Sequence, residues 1–239
     1  MRIALVPLKI KPRSPTENLH RLEARLREIA DEKPDLIVLL PECTLTGYVY
    51  EEDDFKRFAE PIPGPIVSTM AQIAQQYRAY ICFGMVEQAG RRVYDSGVLV
   101  NRDGQIVVVQ RKLSEKPPFQ TGKRVEVAET ELGKIAILIC GDLFDAEATM
   151  QLPGDLDWVL MPMARAFAEQ SPDKRRWEAE EREEYLDAVK AMGKTAFLVN
   201  MLDEGVEEPS FGGAMVVSRD GVLLAESPHG SDEVLLYEL

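Results

Sequence analysis

Two uninterrupted apolar runs, Leu36 to Leu40 and Ile135 to Ile139, constrain this chain more than any other feature. Each is too short for a buried helix and reads as a strand apolar on both sides, the pattern of a sheet covered on both faces. Each run also delivers a chemically capable residue at its carboxyl end, Glu42 after Pro41 in one case and Cys140 in the other.

The flanking segments alternate helix and strand. Ile3 to Leu8 reads as a first strand. Ser14-Pro15 reads as an N-cap and first-turn pair opening a helix through Ala30, with Leu19, Leu22, Leu26 and Ile29 at helical spacing. A second helix is expected over Ile66 to Tyr77, then strands over Tyr80 to Val86, Val93 to Val100 and Gln105 to Gln110. A short helix around Phe144 to Gln151, a strand near Trp158 to Met161, a long charged helix from Pro172 to Met192 and a strand over Ala196 to Asn200 follow. Two last strands flank Ser218-Arg219-Asp220-Gly221, which echoes the turn Asn101-Arg102-Asp103-Gly104 and hints at pseudo-symmetric halves. No linker-like stretch divides the 239 residues, so residues 1–239 are expected to form one mixed α/β domain.

Charge and composition exclude several functions. With 28 basic against 41 acidic side chains the net charge is −13, which repels phosphate backbones and anionic lipid, so neither nucleic acid nor membrane is an expected partner. The amino terminus lacks the apolar segment of a signal peptide, and three widely spaced cysteines suit a reducing compartment, so a cytoplasmic address is expected. His20 and His229 are the only histidines, in a helix and a turn, which disfavours Ser-His and Cys-His catalysis. No CxxC, HExxH or EF-hand spacing is present, so no metal or other cofactor is implied. Thr121-Gly122-Lys123 looks like the end of a phosphate loop, but Pro117 stands where its first glycine belongs. The acidic run Glu178 to Glu184 reads as a solvated helix face.

Three segments remain: Leu39-Leu40-Pro41-Glu42, Gln110-Arg111-Lys112 and Leu138-Ile139-Cys140-Gly141-Asp142. Each follows an apolar strand, so a glutamate, a lysine and a cysteine can converge at one sheet rim. Taken singly, Glu42 also reads as a helix cap, Lys112 as a surface charge and Cys140 as a small buried hydrophobe. Cys82 has nothing polar near it in sequence, whereas Cys43 rivals Cys140 by lying next to Glu42. Adjacent residues on a strand point to opposite faces, which places Cys43 and Glu42 poorly for joint chemistry.

Pro41-Glu42 with Leu45-Thr46-Gly47-Tyr48, then Arg111-Lys112, then Ile139-Cys140 with Asp142 resemble the three signatures of the nitrilase superfamily of carbon–nitrogen hydrolases. Ala59 to Pro65, Phe83-Gly84 and Phe211-Gly212-Gly213-Ala214 extend the resemblance over nearly the whole chain. It implies a four-layer αββα sandwich of two mixed sheets, and a triad of Glu42, Lys112 and Cys140. It further implies a second glutamate, Glu115, within Glu115-Lys116-Pro117-Pro118-Phe119-Gln120-Thr121-Gly122. The chemistry implied is attack by a Cys140 thiolate on a small amide or N-carbamoyl compound, with Glu42 as base. Lys112 and the Gly141 N–H stabilise the oxyanion, and a thioester forms without cofactor. Nitrile hydrolysis and a catalytically idle protein that binds a small molecule or a partner are the alternatives. Relatives associate through the helix after the cysteine, so a homodimer is expected. Two departures stand out: only three positions separate Lys112 from Glu115, and Tyr94-Asp95-Ser96 occupies a place where relatives often have Tyr-Asn-Ser.

Overall fold

A computed structural model describes residues 2–32, 36–166, 176–205 and 209–239. The first half supplies β1 (Arg2–Leu5), β2 (Lys9–Ile10), α1 (Pro15–Glu28), β3 (Leu36–Leu39), α2 (Glu52–Phe58), α3 (Pro65–Tyr77), β4 (Ile81–Ala89), β5 (Arg92–Val100) and β6 (Ile106–Arg111). The second half supplies β7 (Val127–Thr130), β8 (Gly133–Ile137), a 3₁₀ turn (Cys140–Phe144), α4 (Ala146–Thr149) and β9 (Trp158–Met163). A π turn (Trp177–Glu181) running into α5 (Arg182–Met192), then β10 (Thr195–Asn200), β11 (Leu202–Asp203), β12 (Ala214–Val217), β13 (Leu223–Glu226) and β14 (Leu235–Glu238) complete it.

Two six-stranded sheets form, in the orders β14-β1-β3-β4-β5-β6 and β13-β12-β10-β9-β8-β7. Alternation along the strands decides the layers. In β1, Ile3 and Leu5 pack between the sheets with Leu39, Cys82 and Leu99, against Ile135, Ile137, Leu160, Phe197 and Val216 of the other sheet. The opposite face of the first sheet, with Ala4, Val38, Ile81 and Phe83, packs on Leu22 and Leu26 of α1 and Met70 and Ile73 of α3. The opposite face of the second, with Ala136, Val159, Met161 and Leu198, packs on Tyr185 and Val189 of α5. Helix, sheet, sheet, helix is the expected four-layer αββα sandwich.

Several expected boundaries shift. The first strand stops at Leu5, and Lys9–Ile10 pairs separately with Leu202–Asp203 in a small third sheet. The run Ile135 to Ile139 leaves its strand at Ile137, so Cys140 sits in a turn three residues beyond. The segment expected to be a helix over Phe144 to Gln151 is only one turn, Ala146–Thr149, capped by the Asp145 carboxylate. The long charged helix is borne out from Trp177 to Met192, and its expected start at Pro172 lies outside the described residues. Within it the acidic run is not uniformly solvated: Glu181 is buried and paired with Arg176 and Arg165.

Candidate active site

Glu42 is carried by a turn built on β4. Past β3, the Gly84 N–H donates to Pro41 O (3.1 Å), the Thr44 N–H donates to Gly84 O (2.9 Å) and Thr44 Oγ1 donates to Pro41 O (2.6 Å). The turn can press this close because Gly84 has no side chain: a Cβ there would lie 2.6 Å from Glu42 Cα and from the Cys43 nitrogen. Cys43 takes a left-handed backbone (φ 46°) and packs with Val86 and Phe119, its thiol 4.0 Å from Asp95 Oδ1. Cys43 and Glu42 therefore both lie within the turn past β3, and the strand alternation expected there does not extend so far.

Lys112 follows β6, held by its N–H to Asp95 O (2.9 Å) and by its carbonyl accepting from the Gly122 N–H (2.7 Å). Its ammonium lies 2.8 Å from Glu42 Oε1, 2.9 Å from Glu115 Oε2 and 3.4 Å from Asp95 Oδ2, and 5.3 Å from the centre of the Tyr48 ring. Glu115 sits in a short loop but is no surface charge: its side chain is 5% exposed, with Tyr48 Oη–H donating to Oε2 (2.6 Å) and the Lys116 N–H to Oε1 (2.8 Å). Tyr48, carried in the Thr46-Gly47-Tyr48 signature, thereby orients the second glutamate.

Cys140 stands at the head of the 3₁₀ turn with φ 44°. Asp142 fixes that turn: its Oδ2 accepts the Ile139 N–H (3.0 Å), while Oδ1 accepts the N–H groups of Leu113 (3.0 Å) and Ser114 (2.8 Å) and the Ser114 hydroxyl (2.8 Å). One buried carboxylate thus locks the Cys140 turn to the loop bearing Lys112 and Glu115. Glu42, Lys112, Glu115, Cys140 and Gly141 line one cleft of about 370 Å³, within the size range of small-ligand sites. Tyr48, Tyr50 and Arg165 contribute to its walls. His20 and His229 do not line it; His229 stacks on Trp177 with ring centres 5.4 Å apart.

The electrostatics follow from burial. Desolvation and the neighbouring Glu42 push the Cys140 thiol up to about 12, opposed by Lys112 and by hydrogen bonding from the Ala164 backbone. Burial opposes the charge on Lys112, but Glu42 and Asp95 outweigh it and raise its pKa. Burial pulls Glu115 upward while Lys112 and the Tyr48 hydroxyl pull it down, and the net shift is downward. Glu42, Asp95 and Glu115 bring oxygens within 4.8 Å of one another, a spacing that suits a cation, and the Lys112 ammonium is the cation among them.

Arg165 was not foreseen. It lies two residues past β9, as Glu42 lies three past β3, and that position beyond a buried strand is the signal that marks it. Asn200 pins its backbone, with Oδ1 accepting its N–H (2.7 Å) and Nδ2 donating to its carbonyl (3.0 Å).

The sandwich thus brings a buried glutamate, a buried lysine and a half-buried cysteine together at its sheet ends. The model of the carbon–nitrogen hydrolase family matches residues 2–239, and the chain belongs to that family. An omega-amidase of Xenopus tropicalis is 26% identical over 98% of this chain and 86% of its own length. A citrullinase of Francisella tularensis is 24% identical over 98% of this chain and 87% of its own. Among solved structures, the amidase from Nesterenkonia sp. AN1 with acrylamide added to its active-site cysteine superposes with a TM-score of 0.81. It is 19% identical and covers all of this chain and 93% of that one.

Proposed function

We propose that this chain hydrolyses the carbon–nitrogen bond of a small carboxamide or N-carbamoyl compound, with Cys140 as nucleophile, Glu42 as general base and acid, Lys112 as oxyanion stabiliser and Glu115 as their support. The observation that carries this reading is the Lys112 ammonium bridging Glu42 (2.8 Å) and Glu115 (2.9 Å) in the cleft that Cys140 lines. With its pKa pushed up to about 12, Cys140 rests as a thiol, so its proton passes to Glu42 as sulfur attacks the carbonyl carbon. The C–S bond forms, and the oxyanion meets Lys112 and the N–H of Gly141, at the start of a turn whose first N–H groups lack intrahelical acceptors. Such a donor is worth roughly 3–4 kcal/mol in the transition state. The C–N bond breaks as Glu42 gives its proton to the departing nitrogen. Water, deprotonated by Glu42, then cleaves the thioester to the acid and restores the thiol. These side chains supply every group the scheme uses, so it calls on no cofactor.

Arg165 sets the polarity of the substrate in this reading. Its half-exposed guanidinium lines the cleft, with Glu181 Oε2 at 3.5 Å as its ion-pair partner among the described residues. An amide whose far end is a carboxylate suits that wall. Two copies are inferred to associate through Phe144 and Met150, exposed just after Cys140. The three free thiols suit the cytoplasm.

The test is ammonia release from short carboxamides, monoamides of dicarboxylates, N-carbamoyl amino acids and nitriles. Cys140→Ala is expected to abolish release, and Arg165→Ala to raise KM for carboxylate-bearing amides about tenfold relative to neutral ones. Undiminished release by Cys140→Ala would refute the nucleophile. Silence of the wild type across the panel would favour a binding protein.

A further inference from the structure

Lys112 is one cation among three carboxyl groups. Glu42, Asp95 and Glu115 have side chains 1%, 0% and 5% exposed, and all three lie within 3.4 Å of its ammonium. Three ionised carboxylates would leave two uncompensated negative charges out of water, a cost of several kcal/mol for each. At least one of the three must hold a proton.

The hydrogen bonds identify which. Glu115 is supplied with donors at both oxygens, from Tyr48 and the Lys116 N–H, as befits an anion. Asp95 is not: its Oδ1 faces the Cys43 thiol at 4.0 Å, and its buried Oδ2 has the Lys112 ammonium at 3.4 Å but makes no hydrogen bond among the described residues. Glu42 Oε1 takes the lysine, and its Oε2 is likewise buried without a hydrogen bond. The two carboxyls bring oxygens within 4.8 Å of each other beside Lys112. Two facing acceptors are satisfied by one shared proton.

We propose that Asp95 is a neutral carboxylic acid that donates a hydrogen bond to Glu42, making it a positioning residue that holds the base as an oriented anion beside Cys140. The groups facing Asp95 are Glu42, Cys43 and Tyr48 beyond β3, Lys112 beyond β6, Glu115 in the following loop, and the more distant Cys140 beyond β8. Lys112 is the only cation among them. Burial first, and Glu42 next, hold the Asp95 carboxyl well above its ordinary range, in agreement with the geometry. Once Glu42 has taken the Cys140 proton, Lys112 and Glu115 compensate each other and both members of the pair are neutral. The role of Asp95 rests on Glu42 serving as base, as proposed above; its protonation does not.

Infrared difference spectra of the resting enzyme at neutral pH test the proton without any substrate. A protonated-carboxyl C=O band that shifts in D₂O is expected in the wild type and absent in Asp95→Asn. The acid limb of kcat/KM tests the role, because its sign differs between the two protonation states. If Asp95 is a neutral donor, Asp95→Asn, whose amide N–H replaces the hydroxyl, leaves the limb in place and keeps activity within a few-fold. Asp95→Ala then removes a donor from the Glu42 anion, moves the limb to higher pH and lowers kcat about tenfold or more. If Asp95 is an anion, either substitution removes a negative neighbour and moves the limb to lower pH. That downward movement, or a wild-type spectrum lacking the band, overturns the proposal. Should Asp95→Ala fail to fold, the infrared band and Asp95→Asn still decide it.

Discussion

Asp95 loses contact with water completely on folding, so it titrates in two different environments. In the unfolded chain its pKa is near the ordinary 3.8; in the folded chain burial and Glu42 hold it well above that. A raised folded pKa means the folded state keeps a proton that the unfolded chain releases. The stability contributed is therefore full below the unfolded pKa and is lost as pH rises through the folded one. Asp95→Asn has no such proton. Its urea midpoint, measured against the wild type, is expected to improve steadily as pH rises from about 4 to about 8, and a difference constant with pH would contradict this. In the sequence, Glu42, Lys112, Cys140 and Glu115 were legible because each belongs to a signature lying just past a strand. The Asp95 substitution was visible, but its partners Glu42 and Lys112 are distant in sequence, so nothing local showed that it faces them. Arg165 carries the same positional signal beyond a strand, but without the sheets assembled an arginine there reads as surface charge.

At the scale of elements, buried strands were readable because apolar runs survive any turn chemistry, and β4 and β5 extend their expected ranges by only a few residues. Short elements were not. Helix α2 offers only Phe55 and Phe58 as a buried pair, too little periodicity to register, and β7 has four residues. The departure of the chain from β8 at Ile137 also escaped the reading, because Leu138 and Ile139 are as apolar as the strand. The turn itself begins at Cys140, held by the Asp142 carboxylate on the Ile139 N–H and by the Asp142 N–H donating to Ile139 O (3.0 Å). The contact between β4 and the Glu42 turn is the element-level feature on which the site depends. In Gly84→Ala, the new Cβ meets main-chain atoms at 2.6 Å, which cannot rotate away, so the turn must move and Glu42 with it. A loss of about 1–3 kcal/mol is expected, together with a fall in turnover larger than the loss of folded protein explains. Gly154, where a Cβ meets nothing within 4 Å, provides the control, and Gly154→Ala should leave both unchanged. Thermal melts and kcat on the same samples decide it, and a fully active Gly84→Ala would show that the Glu42 turn tolerates displacement.

Across the whole molecule, the echo between the two Arg-Asp-Gly turns proves structural. From β14 to β6 successive pairings run antiparallel, parallel, parallel, antiparallel, antiparallel, and from β7 to β13 they repeat in the same order. Residues 101–104 and 218–221 join the last hairpin of each sheet. Glu42 and Arg165 then occupy corresponding places beyond β3 and β9. The correspondence is broken by chain order in one place: β14, from residues 235–238, fills in the first sheet the position that β7 fills in the second. The first sheet is therefore incomplete until the last residues arrive, and the apolar layer between the sheets belongs to both. Residues 1–239 are accordingly expected to unfold as one unit. Trp158 and Trp177 report on the second sheet and its helix, while backbone circular dichroism reports on both sheets, so the two urea transitions should coincide. Separate transitions would mean that the halves are independent despite the exchanged strand. The proposed association through Phe144 and Met150 adds a second expectation from mass action: the common midpoint should rise with protein concentration and lose that dependence in Met150→Glu, which would place a charge in the proposed contact. A midpoint independent of concentration in the wild type would leave the single folding unit standing and remove the dimer.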